Sequence, residues 1–421
     1  MINKLKPKSE FSRNVLTLMT GTTIAQAIPI AISPILTRLY TPEDFGILAL
    51  FVAITSIFGT IANGRYELAI MLPKKDEDAI NIFALGFIIV FCLSLFLLSI
   101  ILLFHNSILQ LLNNQDIGFW LYFVPLTVFF IGLYNLLNYF NNRKKQYKDL
   151  AKATIVKSIV TAIVQLSIGF LKGGVAGLIS GQILSQLFAN MKLLKNIIEN
   201  KVLISKVSKV KIVVLAKRYK DFPKFTMWAG LLNSSSTHLT NILISSLFNI
   251  KILGFYSLSQ RLLGMPSALI GGSIGQVFFQ EATKEKQLTG TAINTFISTL
   301  KKLIIIGVPF FGVLFFVVKD LFSFVFGEEW RVAGEYTQIL IPFFMINFIS
   351  SPLAISMSVF ERQKSTLFVN IIIIISTFSV LFISTLYHIK FIVFLTIFSI
   401  VMCINYLLFI FYYNKIVKGV L

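Results

Sequence analysis

Gly254-Phe255-Tyr256-Ser257-Leu258-Ser259-Gln260-Arg261-Leu262-Leu263-Gly264-Met265-Pro266-Ser267-Ala268-Leu269-Ile270 is the stretch on which the reading of this chain turns. It sits in a segment, about residues 253–280, whose length and apolar content predict a membrane-crossing helix, yet it holds an arginine. A permanent cation at that depth costs about 2.5–3.5 kcal/mol on an insertion scale. Arg65 and Lys157 fall within predicted spans as well. Such charges are retained where something anionic is met inside the bilayer.

The rest of the chain agrees that its solvent is lipid. Of 421 residues, 56% are hydrophobic and 13% charged, and the mean hydropathy is +0.81. So few charges cannot cover a soluble surface of this size. The 42 phenylalanines suit lipid-facing helices. In a soluble protein a net charge of +20 would point to nucleic acid. Here the excess of cations on cytoplasmic loops explains it, and nucleic acid is excluded as a partner. Cys92 and Cys403 lie in separate apolar runs, which excludes a disulfide framework or a cysteine metal site. The basic N-terminus leads into a long apolar stretch with no small-residue cleavage site, read as a retained first span.

Apolar runs of about 20 residues or more predict twelve spans: 13–39, 44–71, 78–104, 118–141, 150–171, 174–198, 222–248, 252–280, 290–318, 333–360, 364–386 and 390–414. Pro29, Pro34, Pro266, Pro309 and Pro352 are expected kink sites. With the N-terminus inside, the inner ends collect Lys4, Lys6, Lys8, Arg13, Lys74, Lys75, Arg143, Lys144, Lys145, Lys148, Lys152, Lys284, Lys286, Lys301, Lys302, Arg362, Lys364, Lys415 and Lys418. The outer ends hold Arg38, Lys172, Lys251, Lys319, Arg331 and Lys390. This asymmetry, with an even number of spans, places both termini in the cytoplasm.

Near the midpoint, residues 199–220 form the longest inner connection, with Lys201, Lys206, Lys209, Lys211, Lys217, Arg218 and Lys220 among Val, Ile and Leu. Two readings stand: an interfacial basic helix on the anionic inner leaflet, or a charged linker that fixes topology. Beyond it, Asp221 is expected to pair with Lys217 or Lys224 and to have no transport role. The flanking halves echo each other. Leu39-Tyr40-Thr41-Pro42-Glu43-Asp44-Phe45-Gly46 resembles Leu247-Phe248-Asn249-Ile250-Lys251-Ile252-Leu253-Gly254, both at the outer junction of the first two spans of a half. Asn142-Arg143-Lys144 and Glu361-Arg362-Gln363 both follow a fourth span. The expected fold is therefore all-α and polytopic, with an N-terminal bundle at 1–198, a linker at 199–220 and a C-terminal bundle at 221–421. A pseudo-two-fold axis along the membrane normal relates the bundles.

Equivalent helices of such a repeat line the same space. In the first span Thr22, Gln26, Pro29 and Ser33 form one stripe. In the seventh, Asn233-Ser234-Ser235-Ser236-Thr237-His238-Leu239-Thr240-Asn241 is strongly polar for a span, and Ser234, His238, Asn241 and Ser245 share a face. These stripes read as the walls of a hydrated cleft, or as interhelical hydrogen bonding worth about 0.6 kcal/mol per contact. Arg65 lies in Asn63-Gly64-Arg65-Tyr66-Glu67, about eight residues or roughly 12 Å from Pro73, farther than easy snorkelling. Glu67 is its obvious partner, yet side chains at i and i+2 diverge on a regular helix. Either the helix is irregular at Gly64 or each charge has another partner. The pair reads as a substrate site or as a structural lock. Lys157 is within one or two turns of the inner end and can snorkel. Arg261, about two turns from the outer end, shares a small and polar face with Ser257 and Gly264.

The planar fork of arginine suits a phosphate oxyanion, so Arg65, Arg261 and Lys157 are candidates for a diphosphate. Gln26, Asn233, Asn241 and Gln260 are candidates for sugar hydroxyls, and Glu67 and His238 for ion coupling. No GxxxxGK[ST] loop occurs, so the chain does not power itself with ATP. Asp76-Glu77-Asp78 is formally a DxD, but it opens a span, where acids match the helix dipole. No catalytic residue, metal or cofactor is expected.

Thr37-Arg38-Leu39-Tyr40-Thr41-Pro42-Glu43-Asp44-Phe45-Gly46 and Arg65-Tyr66-Glu67-Leu68-Ala69-Ile70 in the first half resemble motifs of a known group. So do Tyr256-Ser257-Leu258-Ser259-Gln260-Arg261-Leu262-Leu263, Pro266 and Gln276-Val277-Phe278-Phe279 in the second. The likeness is to the polysaccharide-transport, or O-antigen flippase, family of the multidrug/oligosaccharidyl-lipid/polysaccharide exporter superfamily, and it runs along nearly the whole chain. The resemblance implies two six-helix bundles in a V and a cation-lined cavity. It implies flipping of undecaprenyl-diphosphate-linked oligosaccharide from the inner to the outer leaflet of the bacterial cytoplasmic membrane, with coupling to H+ or Na+. The cargo would be an O-antigen (lipopolysaccharide), capsule or related repeat unit, and membrane lipids, a polymerase and glycan-assembly proteins would be partners. It maps the family's Arg-Tyr-Glu and Gln-Arg motifs to Arg65, Glu67, Gln260 and Arg261. A multidrug or organic-cation antiporter of the same superfamily, and a membrane glycosyltransferase or polymerase, are the alternatives.

Overall fold

A computed structural model describes residues 10–199 and 201–419, and among the described residues the chain is helical with no strands. Its internal contacts divide it into two compact units, Met1–Ser246 and Leu247–Leu421. Nine helical segments of the described residues are long and apolar enough to cross a membrane, which makes this a multi-pass membrane protein. Lys4, Lys6 and Lys8 lie outside the described residues.

The first unit opens with α1 (Glu10–Leu39), α2 (Pro42–Ile61) and the short α3 (Tyr66–Ala69). It continues with α4 (Asp76–Leu112), α5 (Gly118–Leu121), α6 (Val124–Arg143), α7 (Tyr147–Phe170) and α8 (Val175–Ile198). Linker helices α9 (Lys201–Ile204) and α10 (Lys209–Arg218) follow, then a π-helical turn at Phe222–Thr226 and α11 (Met227–Leu247). The second unit holds α12 (Ile250–Pro266), a π-helical turn at Ser267–Gly271, α13 (Gly272–Thr289) and α14 (Ile293–Phe326). It ends with α15 (Arg331–Leu353), α16 (Ser356–Val359), α17 (Gln363–Leu386) and α18 (Phe391–Val417).

Each expected span has a long helix. Three of them, α1, α8 and α11, are not among the nine most apolar. Their 30, 24 and 21 residues still reach about 30–45 Å at helical rise. They carry the Thr, Ser, Gln and Asn that lower hydropathy. The second span departs most from expectation. The sequence predicts one helix over 44–71, but the helix stops at Ile61, turns, and resumes as α3.

The echoed octets share a physical role, since both start a helix. At Thr41 a capping box forms: Asp44 N donates to Thr41 Oγ1 at 3.2 Å and Thr41 N donates to Asp44 Oδ2 at 3.0 Å. At Asn249 the side-chain Oδ1 accepts from Ile252 N at 2.7 Å. The second echo is out of register: Glu361 is left-handed after its helical segment, as Lys145 is, whereas Asn142, which the echo pairs with Glu361, lies inside α6. Of the expected kink sites, Pro266 precedes the π-turn at Ser267–Gly271 and Pro352 lies in the last turn of α15, whereas Pro29, Pro34 and Pro309 lie within the runs of α1 and α14.

In the first unit α1 and α7 run parallel in one register. Gly21 meets Ala151 near one end, and Gly169 meets Leu39 and Tyr40 at the other. A Cβ on Gly169 would stand 2.9 Å from the Tyr40 ring, so the close approach needs glycine. Tyr40 Oη donates to Gln165 O at 2.5 Å. Burial, with a smaller contribution from Asp44, pushes the Tyr40 phenol up to about 12 and keeps that donor protonated. Helix α11, grouped by sequence with the second half, has hydrogen bonds to α2 and to the end of α4 in the first unit. Ser234 Oγ donates to Ser56 O at 3.4 Å, Ser246 Oγ to Leu111 O at 3.1 Å, and Asn113 Nδ2 to Ser246 O at 3.2 Å.

Candidate functional site

The break after α2 is built by two left-handed residues, Gly64 (φ 58°) and Arg65 (φ 63°). Glycine takes this conformation freely, whereas for arginine it is uncommon and stores strain. The turn is closed by Gly64 N to Ile61 O at 2.9 Å and Tyr66 N to Asn63 O at 3.1 Å. Asn63, buried at its start, donates from Nδ2 to Gly86 O at 3.3 Å. This turn resolves the spacing problem. With Arg65 left-handed, residues 65 and 67 come to one side, and Arg65 Nη1 lies 3.5 Å from Glu67 Oε1. The Glu67 side chain is 3% exposed and that of Arg65 26%. Glu67 Oε2 and Arg65 Nε are buried without a hydrogen-bond partner. A buried carboxylate with one satisfied oxygen is poised for another ligand or a proton.

Gly230, on α11, was not singled out in the sequence. A Cβ there would overlap the Arg65 guanidinium, standing 2.7 Å from Nε and 2.9 Å from Cζ. A side chain at this position would push the guanidinium aside. The available signal was a small residue one turn before the polar run of the seventh span. Pro223 and Ile89 lie beside Gly64. Tyr66 packs in a core cluster bordered by Tyr134 and Tyr139 of α6.

Lys157 belongs to the same unit. Its Nζ lies 5.3 Å from the centre of the Tyr134 ring, so the cation rests on an aromatic face. The common register of α1 and α7 puts Gln26, half-buried, at the level of Lys157. On α11, Asn233 is exposed and His238 half-buried. Asn241 Oδ1 and Ser245 Oγ are buried without hydrogen-bond partners. The stripe is thus divided: Ser234 ties α11 to α2, while Asn241 and Ser245 keep unused acceptors. On α1, Ser33 is withdrawn from its stripe by a bond to Pro29 O at 2.6 Å. Asp221 forms no ion pair among the described residues, contrary to expectation, and Lys224 lies over the Phe225 ring instead.

In the second unit, Arg261 is exposed on α12, with Gln260 half-buried beside it. Gln260 Nε2 donates to Tyr256 Oη at 2.7 Å, and Ser259 Oγ donates to Ala333 O at 2.8 Å. These bonds fix the helix on α15, and Arg261 follows Gln260 on the same helix with an interaction of its own. One turn on, Met265, Pro266, Leu269 and Ile270 border an apolar groove of about 290 Å³ shared with α14 and Phe348.

These features define a multi-pass helical membrane protein with Lys157 and Arg261 inside its spans and Arg65, expected within the second span, in the turn beyond it, and solved structures of the same fold bear out the class. A transporter described as an inward-facing multidrug resistance MATE family member of the MOP superfamily aligns over 95% of both chains, with a TM-score of 0.73 and 12% identity. The lipid II flippase MurJ, in an inward closed conformation, aligns over 96% of this chain and 90% of its own, at 0.68 and 13%. A MOP superfamily transporter from Pyrococcus furiosus aligns over 96% of both, at 0.53 and 12%. At such identities the likeness shows the fold. No curated protein matches the sequence. The family described as "Polysaccharide biosynthesis protein" matches residues 35–335, and the chain belongs to it.

Proposed function

We propose that this protein flips undecaprenyl-diphosphate-linked oligosaccharide, an O-antigen, capsule or related repeat unit, across the bacterial cytoplasmic membrane. Transport runs from the cytoplasmic to the outer leaflet by alternating access. The segments 1–198 and 221–421 are the working halves, 199–220 is the link, and both termini are cytoplasmic. The observation that carries this reading is the sign of the charge in and beside the spans. Among the described residues Lys157 and Arg261 lie within spans and Arg65 in the turn after α2, against one deeply buried carboxylate, Glu67. Arg65, Arg261 and Lys157 bind the diphosphate, and Gln26, Asn233, Asn241 and Gln260 bind sugar hydroxyls. Glu67, through its unpartnered Oε2, and His238 couple transport to H+ or Na+. A polymerase and glycan-assembly enzymes act on the cargo before and after it crosses, and the protein itself makes and breaks no covalent bond.

Arg65→Ala and Arg261→Ala test the assignment in a cell whose surface glycan depends on this protein. Normal glycan export at normal protein level in both variants would overturn it. A second reading, export of organic cations, draws on the fold shared with the MATE transporter. A cationic cargo calls for buried carboxylates, and energised uptake of a cationic dye by proteoliposomes would favour that reading over ours.

A further inference from the structure

The linker presents a surface to which the proposed function assigns no role. One face of α10 is fastened to the end of α4. Asn81, fully buried, donates from Nδ2 to Lys206 O at 3.1 Å and accepts from Ser208 N at 2.8 Å. Lys211 Nζ donates to Glu77 Oε2 at 3.0 Å, and Lys206 Nζ lies 3.6 Å from Glu77 Oε1. Leu215 is buried in the core cluster that contains Tyr66, and Tyr66 Oη donates to Ala216 O at 3.1 Å. The opposite face is apolar and open. Val210, Val213, Val214 and Lys217 follow i, i+3, i+4, i+7, and the valines are 73%, 53% and 57% exposed. Val202, upstream, is 74% exposed. Lys209, Arg218 and Lys220 flank this face and are exposed, and among the described residues neither they nor Lys217 enter an ion pair.

A valine stripe bordered by cations matches neither water nor hydrocarbon alone. It matches the boundary between head groups and acyl chains, with the apolar face inserted and the cations reaching anionic phosphate. We infer that α10 and the segment before it dock on anionic phospholipid of the inner leaflet. Through the Tyr66–Ala216 bond this docking steadies the turn that holds Arg65 and Glu67. The inference does not depend on the identity of the cargo.

The test uses the full chain with Cys92→Ser and Cys403→Ser, a bimane probe on Val214→Cys, and nanodiscs of phosphatidylcholine with or without phosphatidylglycerol. Brominated acyl chains are expected to quench the probe in phosphatidylglycerol discs. Lys209→Gln, Lys217→Gln, Arg218→Gln and Lys220→Gln together should weaken the docking by much more than the roughly fivefold expected per cation. Quenching by an aqueous quencher and not by brominated lipid, or equal lipid quenching in both discs, overturns the docking. If the neutralised variant does not fold, the comparison of the two discs decides alone. For the link to the site, backbone hydrogen exchange over residues 62–69 should be slower in phosphatidylglycerol discs. Tyr66→Phe should remove that difference while probe quenching persists. An exchange rate indifferent to lipid, or a difference that survives Tyr66→Phe, refutes the link.

Discussion

Removing the charges at Arg65 and Glu67 singly and together separates a structural ion pair from a substrate site. At the observed 3.5 Å and an effective dielectric of about 20, the pair attracts by about 5 kcal/mol. Desolvation of Glu67 offsets most of this, and Arg65, a quarter exposed, is partly screened by solvent. A net contribution of about 1–2 kcal/mol is the reasonable expectation. Arg65→Ala alone leaves a buried carboxylate with neither oxygen paired, which costs about 3 kcal/mol. Glu67→Gln in the same chain removes that charge, and the double variant should return to within about 1–2 kcal/mol of the parent. Thermal unfolding of the purified protein in nanodiscs reads stability, and surface glycan measured in a deletion strain at matched protein level reads function. Stability should recover in the double variant while export stays lost, because neither the guanidinium that meets the diphosphate nor the coupling carboxylate remains. If export recovers together with stability, Arg65 is only a lock and its proposed role is refuted.

Gly230→Ala should be nearly neutral for folding. The helix gains up to about 1 kcal/mol from alanine, and the atoms displaced are the movable end of Arg65. Glycan export should nonetheless fall more than tenfold in cells, and normal export would show that the guanidinium position is immaterial. Asn81→Ala removes a buried side chain that binds Glu77 O, Lys206 O and Ser208 N. It should cost about 2–3 kcal/mol and open the linker to limited proteolysis, with an unchanged digest as the contrary result. Gly334→Ala, in the second unit, would bring a Cβ to 2.9 Å from Lys319 Cα. Backbone cannot swing aside, so a loss of about 1–3 kcal/mol is expected in the same unfolding assay. For orientation, single cysteines at Lys390→Cys and Lys148→Cys in a chain lacking Cys92 and Cys403 are probed in intact cells. A membrane-impermeant thiol reagent should label the first only, and labelling of the second would reverse the topology.

What could be read from sequence follows the range of the forces involved. The spans were legible because burial in lipid demands long apolar runs with satisfied backbones, a constraint written in consecutive residues. The echoed octets were legible for a similar reason, since a helix start needs Thr41 or Asn249 within three residues of the donor it caps. The break after α2 was half legible. Gly64 marked where it could fall, but arginine rarely adopts a positive φ, so local preference pointed to a continuous helix. What overrides that preference is tertiary: Asn63 binds Gly86 O, Tyr66 packs in the core cluster and binds Ala216 O, and Arg65 closes on Glu67. Gly230 was invisible for the same reason, since its importance lies in an arginine distant in sequence. The two departures have one origin. A strained turn that presents a cation persists only if several remote contacts over-determine it. In this protein those contacts come from α4, from the linker and from α11, so movement of any of the three reaches Arg65. Under the proposed function that convergence suits a cargo-binding charge, because its exposure would have to change when helices shift.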